Sequence, residues 1–197
     1  KFTSFWVRRS LGIIQPTPLC PEKMVEGFTF VLPGIEAESV YTYSMCDGLR
    51  AGGVPGAIKV FNWGMPFPGG YLGNLCHYSR NRRRAHDLAH EIRAYQERFP
   101  NRPVNVVAHS GGCGIAVWAV ELLPEDQPVH AVVLLNGALS PTYDLSRALS
   151  RCQRGLLNSY SPRDIMVLDW GTRVFGTTDR KFVRACGCVG FAPPPAA

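Results

Sequence analysis

The sequence predicts an α/β fold with a doubly wound, mainly parallel sheet. Apolar stretches rich in β-branched and aromatic residues alternate with helical stretches along the chain, and each apolar stretch is continuous rather than alternating in polarity. Strands of this kind are buried on both faces, as happens when helical crossovers cover a parallel sheet. Because such sheets bind ligands at the carboxyl ends of their strands, the residues that follow each strand are the functional candidates.

The alternation defines five strands and four helices. The chain of 197 residues can form one substantial core, and we expect a single domain over residues 1–197 with an N-terminal extension at 1–24 and a Pro/Ala tail at 192–197. A loop rich in glycine and proline, residues 62–71, follows the second strand and therefore lies at the ligand-binding edge. The predicted strands are 28–32, 57–61, 104–107, 130–135 and 155–160, and the predicted helices cover about 39–50, 74–99, 115–123 and 144–151.

The third predicted strand ends in a sharp turn at Ser110. Ala108 and Gly112 flank this serine at the positions where a strand-to-helix turn leaves room only for small residues. Such a turn forces unfavourable backbone angles on the serine and presents its hydroxyl. Gly111 begins the helix, so its N–H has no partner within the helix and can donate to a developing oxyanion. The pattern is typical of a nucleophile elbow; the alternative is that Ser110 only caps the helix.

The chain resembles an α/β-hydrolase over about residues 25 to 170, in three places. The first is the elbow, Ala108-His109-Ser110-Gly111-Gly112. The second is Leu32-Pro33-Gly34-Ile35 after the first strand, where the family usually carries a His-Gly-x oxyanion loop and where Pro33 replaces the histidine. The third runs from Asn158 to Asp164 and resembles the turn after the seventh family strand, which carries the catalytic acid. The resemblance implies a hydrolase-type sheet that lacks the family's last strand and helix.

The same resemblance assigns roles to four residues. Ser110 would be the nucleophile, Asp164 the triad acid, and the backbone amides of Ile35 and Gly111 the oxyanion donors. Alternatives remain for two of them, because Asp164 also fits an ordinary turn aspartate and the Ile35 amide could face water instead. Two further aspartates lie downstream, Asp169 and Asp179.

The family's catalytic histidine has no counterpart in this sequence. It follows the acid in the family, whereas all five histidines here precede Asp164. Three explanations are open. A C-terminal segment beyond residue 197 could carry the histidine; His77, which follows the Gly/Pro-rich loop, could replace it; or the chain could be a catalytically impaired binding module.

The charged residues predict neither a metal site nor a nucleic-acid site. His86 and His90 are spaced i, i+4 on the long helix, but aspartate rather than glutamate follows the first, and no third ligand is evident. The net charge of +6 comes largely from the cluster Arg80 to Arg84 and from residues after Arg147, without the interleaved aromatics of nucleic-acid-binding surfaces. We expect a solvated arginine cluster, no metal, no cofactor and no membrane-spanning segment.

The loop after the second strand indicates the substrate class. It contains Trp63, Met65 and Phe67, which would form an apolar pocket for the acyl or alcohol part of an ester. The alternative is that these side chains pack beneath the long helix. The sequence therefore predicts a serine hydrolase acting on small-molecule or lipid-like carboxylic esters, with the impaired binding module as the alternative. It leaves the oligomeric state and the compartment open.

Overall fold

The strands form one parallel sheet with the elbow strand at its centre. The computed structural model describes residues 19–65, 74, 77–162 and 176–192. Every strand pairing among these residues is parallel, which confirms the predicted fold class. The strands are β1 (Phe28–Leu32), β2 (Ala57–Val60), β3 (Val104–His109), β4 (Ala131–Leu135) and β5 (Leu156–Ser159), in the spatial order β2-β1-β3-β4-β5.

The described residues also form several helices between the strands. A 3₁₀ helix covers Pro21–Val25, and the α-helices are α1 (Val40–Ala51), α2 (Tyr78–Arg98), α3 (Gly112–Glu121), α4 (Ser146–Leu149) and α5 (Cys186–Val189). α3 begins directly after the elbow rather than at residue 115. The sequence did not predict α5, because four residues are too few to show a helical period. No helix in the described part of the chain has the length and apolar character needed to cross a bilayer.

A hydrophobic core covers each face of the sheet. Phe28, Phe30 and Leu32 alternate along β1 and pack with α2 and α3 on one face. Val31 points to the other face, where it packs with Cys46 of α1. Since successive side chains of a strand point to opposite faces, this alternation places helices on both sides of the sheet. β3 is buried between the two cores and can hold its carboxyl end in a fixed position.

The arginine cluster of α2 packs on aromatic rings rather than lying only in solvent. The guanidinium of Arg82 lies 4.9 Å from the ring centre of Trp118 in α3, and that of Arg84 lies 4.9 Å from the ring centre of Phe61. Such stacking combines cation–π attraction with burial of the arginine stem. The cluster thus helps to hold α2 against α3 and against the residue that follows β2.

Candidate active site

Ser110 occupies the turn between β3 and α3 in a strained backbone conformation. Its φ is +50°, in the left-handed region that residues other than glycine rarely adopt. Its N–H donates to the carbonyl of Leu135 (2.9 Å), and its own carbonyl accepts from the N–H groups of Cys113 (3.1 Å) and Ala138 (3.1 Å). Residues held in such conformations cluster at functional sites. The backbone of the turn is therefore sharp, as the sequence predicted, but the residue is buried, whereas the sequence predicted a presented hydroxyl.

The side chain of Ser110 does not cap α3. Gly111 occupies the N-cap position, and no side chain makes a capping hydrogen bond there. The helix-cap alternative therefore does not describe this turn. Space is tight at the next residue, because a Cβ at Gly112 would collide with the carbonyl oxygen of Pro33 and lie 3.1 Å from the Cβ of Leu32. The end of β1 thus requires glycine at this position of the elbow.

The loop after β1, residues 33–37, lies against the start of α3. Leu32 of β1 is paired with Ala108 of β3, so the segments that follow these two strands leave the sheet at the same level. A Cβ at Gly111 would lie 2.8 Å from the Cγ2 atom of Ile35, which shows that the Ile35 side chain packs on Gly111. The N–H groups of Ile35 and Gly111 donate no hydrogen bond to any described residue. Two backbone N–H groups without an acceptor among the described residues therefore lie on the segments that flank Ser110, and their role as oxyanion donors stays a prediction.

The three predicted pocket residues differ in their surroundings. The indole of Trp63 is wholly buried, and its N–H donates to the carbonyl of Pro33 (2.7 Å), as the packing alternative predicts. Met65 is half-buried, and its N–H donates to Oδ1 of Asn74 (2.7 Å). Phe67 lies outside the described residues. Pocket roles for Met65 and Phe67 stay predictions, whereas Trp63 supports the loop from within the core.

No histidine of the described residues makes a hydrogen bond to Ser110. His109 directs its Nδ1 toward Oε1 of Glu36 at 3.5 Å, and both atoms are shielded from water without a hydrogen bond in the described part of the chain. His77 is exposed at the N-cap of α2. His86 and His90 are exposed on α2. His130 precedes β4, at the end of the sheet opposite to Ser110.

Residues 59–159 match the sequence pattern of a family described as the alpha/beta hydrolase fold. The matched residues run from β2 to the end of β5, about half of the chain, and include the whole elbow. The chain belongs to the alpha/beta hydrolase fold family. The predicted resemblance to an α/β-hydrolase is thereby confirmed at the level of the family.

Two solved structures are similar to this chain at low sequence identity. The esterase PE8 is 14% identical, with a TM-score of 0.52, over 79% of this chain and 76% of that one. The dienelactone hydrolase-like promiscuous phosphotriesterase P91 from metagenomic libraries is 16% identical, with a TM-score of 0.49, over 83% of this chain. The alignment covers 64% of P91, slightly less than two thirds of its length. No curated protein sequence matches the chain.

Of the three candidate acids for a hydrolase of this family, Asp179 lies within the described residues and Asp164 and Asp169 do not. The carboxylate of Asp179 accepts hydrogen bonds from the N–H of Ser140 (2.8 Å), the hydroxyl of Ser140 (2.6 Å) and the hydroxyl of Thr177 (2.6 Å). These bonds tie its own turn to the loop after β4. Asp179 thus has a structural role, and the assignment of Asp164 stays a prediction.

Two buried thiols lie beneath the elbow. Burial, and secondarily the neighbouring Cys186, raises the pKa of Cys113 well above its ordinary value. Burial likewise raises the pKa of Cys186 to about 12. Their sulfurs donate to the carbonyls of Ala108 (3.3 Å) and Gly137 (3.4 Å) respectively. Because the thiolate is the nucleophilic form of cysteine, neither group competes with Ser110.

Proposed function

We propose that this member of the family is a serine hydrolase that cleaves carboxylic esters through an acyl enzyme at Ser110. The observation that carries the proposal is the strained backbone of Ser110 beside the amides of Ile35 and Gly111, which donate to no described residue. Acyl transfer needs a presented hydroxyl and donors that converge where an oxyanion forms. A serine that served only to connect β3 to α3 would need neither the strain nor the two donors.

The first half of the reaction forms a bond between the Ser110 oxygen and the carbonyl carbon of the ester. As this bond forms, the serine proton passes to a histidine base, and the former carbonyl oxygen takes the negative charge. The N–H groups of Ile35 and Gly111 would donate to that oxygen. The alcohol then leaves with the proton from the histidinium, and water repeats the sequence to release the acid and restore the serine.

The acid in this mechanism is Asp164, and the base is a histidine that is not among the five in this sequence. The surroundings of the described histidines support the assignment of the base. His109, next to the serine, faces Glu36 rather than the hydroxyl of Ser110, and no other described histidine makes a hydrogen bond to that hydroxyl. His77 is the competing candidate, because it lies between the loop after β2 and the start of α2. The acid would hold the base in the tautomer that accepts the serine proton.

The substrate class is an apolar small-molecule or lipid-like ester. Met65 and Phe67 follow β2, whose carboxyl end lies at the same edge of the sheet as Ser110. Met65 is also connected to loop 33–37, since the Asn74 carboxamide accepts from the N–H of Met65 and donates to the carbonyl of Ile35 (2.8 Å). An apolar side chain at this position would contact the acyl or alcohol part of a substrate held by the oxyanion donors.

A fluorophosphonate probe tests the nucleophile directly. The full-length protein from its natural reading frame should form one covalent adduct, and peptide mapping should place it on Ser110. Ser110→Ala should abolish the adduct, because it removes the proposed nucleophilic hydroxyl. Ser146→Ala, which removes an exposed hydroxyl in α4, serves as the control and should label as the wild type does.

Two results would change the assignment. An adduct that survives Ser110→Ala would contradict the nucleophile. A folded wild-type protein that neither labels nor hydrolyses p-nitrophenyl acetate would favour the catalytically impaired binding module. The same assay tests the base, since His77→Ala should label at the wild-type rate unless His77 takes the place of the family's histidine.

A further inference from the structure

Asn74 is a buried asparagine whose carboxamide joins two separate loops near Ser110. Its side chain is 1% exposed. The amide nitrogen donates to the carbonyl of Ile35 (2.8 Å), and the amide oxygen accepts from the N–H of Met65 (2.7 Å). Its backbone carbonyl accepts from the side chain of Asn81 in α2 (2.7 Å). One residue thus connects the loop after β1, the loop after β2 and α2.

The surrounding groups fix the orientation of this carboxamide. Its oxygen faces two donors, the N–H of Met65 and the guanidinium of Arg80 at 3.4 Å, and its nitrogen faces the carbonyl of Ile35. The reverse orientation would bring two acceptors together at Ile35 and two donors together at Met65. Arg80 is itself anchored through the carbonyl of Trp63 (2.7 Å). The asparagine is therefore locked in the orientation that donates to loop 33–37.

The hydrogen bonds on loop 33–37 determine where the N–H of Ile35 points. The peptide before Ile35 is held by its carbonyl, because Gly34 accepts from the N–H of Ala37 (3.1 Å). The peptide after Ile35 is held by Asn74. The carbonyl and N–H of a trans peptide point in opposite directions. With the Gly34 carbonyl held by Ala37, the N–H of Ile35 in the same peptide points away from that carbonyl, and Asn74 holds the next peptide, which restricts rotation at Ile35.

We infer that Asn74 is a positioning residue for the oxyanion donor Ile35. The inference rests on the proposed function, because it gives the Ile35 amide a catalytic purpose. Asparagine suits the position since one planar group must donate on one side and accept on the other. Aspartate would keep the acceptor for Met65 but place a second acceptor against the carbonyl of Ile35. The loop would then lose the contact that holds the peptide after Ile35.

Asn74→Asp and the milder Asn74→Ser test the inference. Serine is too short to reach Ile35 and Met65 together, yet it keeps a polar group and leaves space for water, so this variant should fold if the aspartate does not. We expect kcat to fall about 10- to 100-fold with KM nearly unchanged. An oxyanion donor stabilises mainly the transition state, so its displacement weakens that state more than substrate binding. Binding of a trifluoromethyl ketone, which mimics the tetrahedral intermediate, should weaken by the same factor.

Asn105→Asp is the matched control. Asn105 lies in the first half of β3 and donates from its carboxamide to the hydroxyl of Thr29 (3.5 Å), far along the strand from the elbow. This variant makes the same chemical change in a partly buried amide without touching loop 33–37. Its kcat and its affinity for the ketone should stay within about twofold of the wild type, which corresponds to less than one RT of free energy.

Backbone ¹⁵N relaxation of Ile35 provides a readout that does not depend on activity. Its order parameter should be near the rigid value of about 0.85 in the wild type and in Asn105→Asp, and lower in Asn74→Ser. A folded Asn74 variant with unchanged order at Ile35 and unchanged kcat would overturn the inference. A wild type without esterase activity would overturn the proposed function instead, and the order parameter would still decide whether Asn74 holds the loop.

Discussion

Ser110 adopts a backbone conformation that glycine would adopt at lower free energy. Ser110→Gly and Ser110→Ala both remove the hydroxyl, but only glycine relieves the crowding of Cβ at a φ of +50°. We therefore expect the glycine variant to be more stable than the alanine variant by about 1 kcal/mol. Equilibrium unfolding in urea measures the difference. Equal stabilities, or a less stable glycine variant, would mean that the turn is not strained.

The sequence could single out Ser110 and Gly111 as candidates because everything that marks them is local. The strand, the serine and the glycines follow one another in the sequence, so a short motif was sufficient to mark these residues as candidates. Asn74 was not singled out, since its partner Ile35 lies 39 residues earlier and no local pattern connects them. Trp63 was ambiguous for the same reason. An aromatic residue in a loop can line a pocket or pack in the core. The hydrogen bond from Trp63 to the carbonyl of Pro33, 30 residues earlier, accompanies its burial in the core.

The start of α3 packs against the end of β1 without room for another carbon atom. A Cβ at Gly112 would meet the carbonyl of Pro33 and lie 3.2 Å from the indole nitrogen of Trp63. Gly112→Ala should therefore lower the free energy of unfolding by about 1 to 3 kcal/mol, as overpacking does in other cores. Thermal unfolding followed by circular dichroism measures the loss. The displaced α3 should also reduce labelling of Ser110.

Gly48 in α1 provides a matched control for this substitution. A Cβ there meets nothing within 4 Å, and the residue lies inside a helix. Alanine at this position should raise stability by about 0.5 to 1 kcal/mol, because glycine is the poorer helix former. If Gly112→Ala were as stabilising as Gly48→Ala, the contact between the elbow and β1 would not be the constraint described above.

The types of the elements were easier to predict from the sequence than their ends. Predicted strands agree closely with β1, β2, β4 and β5, since a buried parallel strand is apolar throughout. α3 is buried from Gly112 to Val120, so it has no polar face to define a helical period. Its beginning was therefore placed too late, after the glycines that follow Ser110. In the structure, α3 already begins at Gly112.

The spatial order of the strands depends on contacts that no local pattern contains. The alternation of elements predicted a parallel sheet, and the family resemblance predicted its type. The order β2-β1-β3-β4-β5 brings β1 beside β3, which pairs residues 76 positions apart in the sequence. Such a pairing is determined by which apolar faces can be covered together, and that is a property of the whole chain.

The central position of β3 also makes the proposed catalysis at Ser110 depend on the order in which the chain folds. Ser110 donates a hydrogen bond to Leu135 of β4 and accepts one from Ala138 in the loop after β4, and the proposed oxyanion donor Ile35 comes from the loop after β1. Parallel pairings between distant segments form slowly, whereas helices form early. During refolding from urea, fluorophosphonate labelling of Ser110 should therefore recover in the slowest phase, after most of the far-ultraviolet circular dichroism has returned. Simultaneous recovery of both signals would contradict this order. If the order holds, a newly made chain does not react at Ser110 until its sheet is complete. Reactivity at Ser110 then indicates that folding has finished.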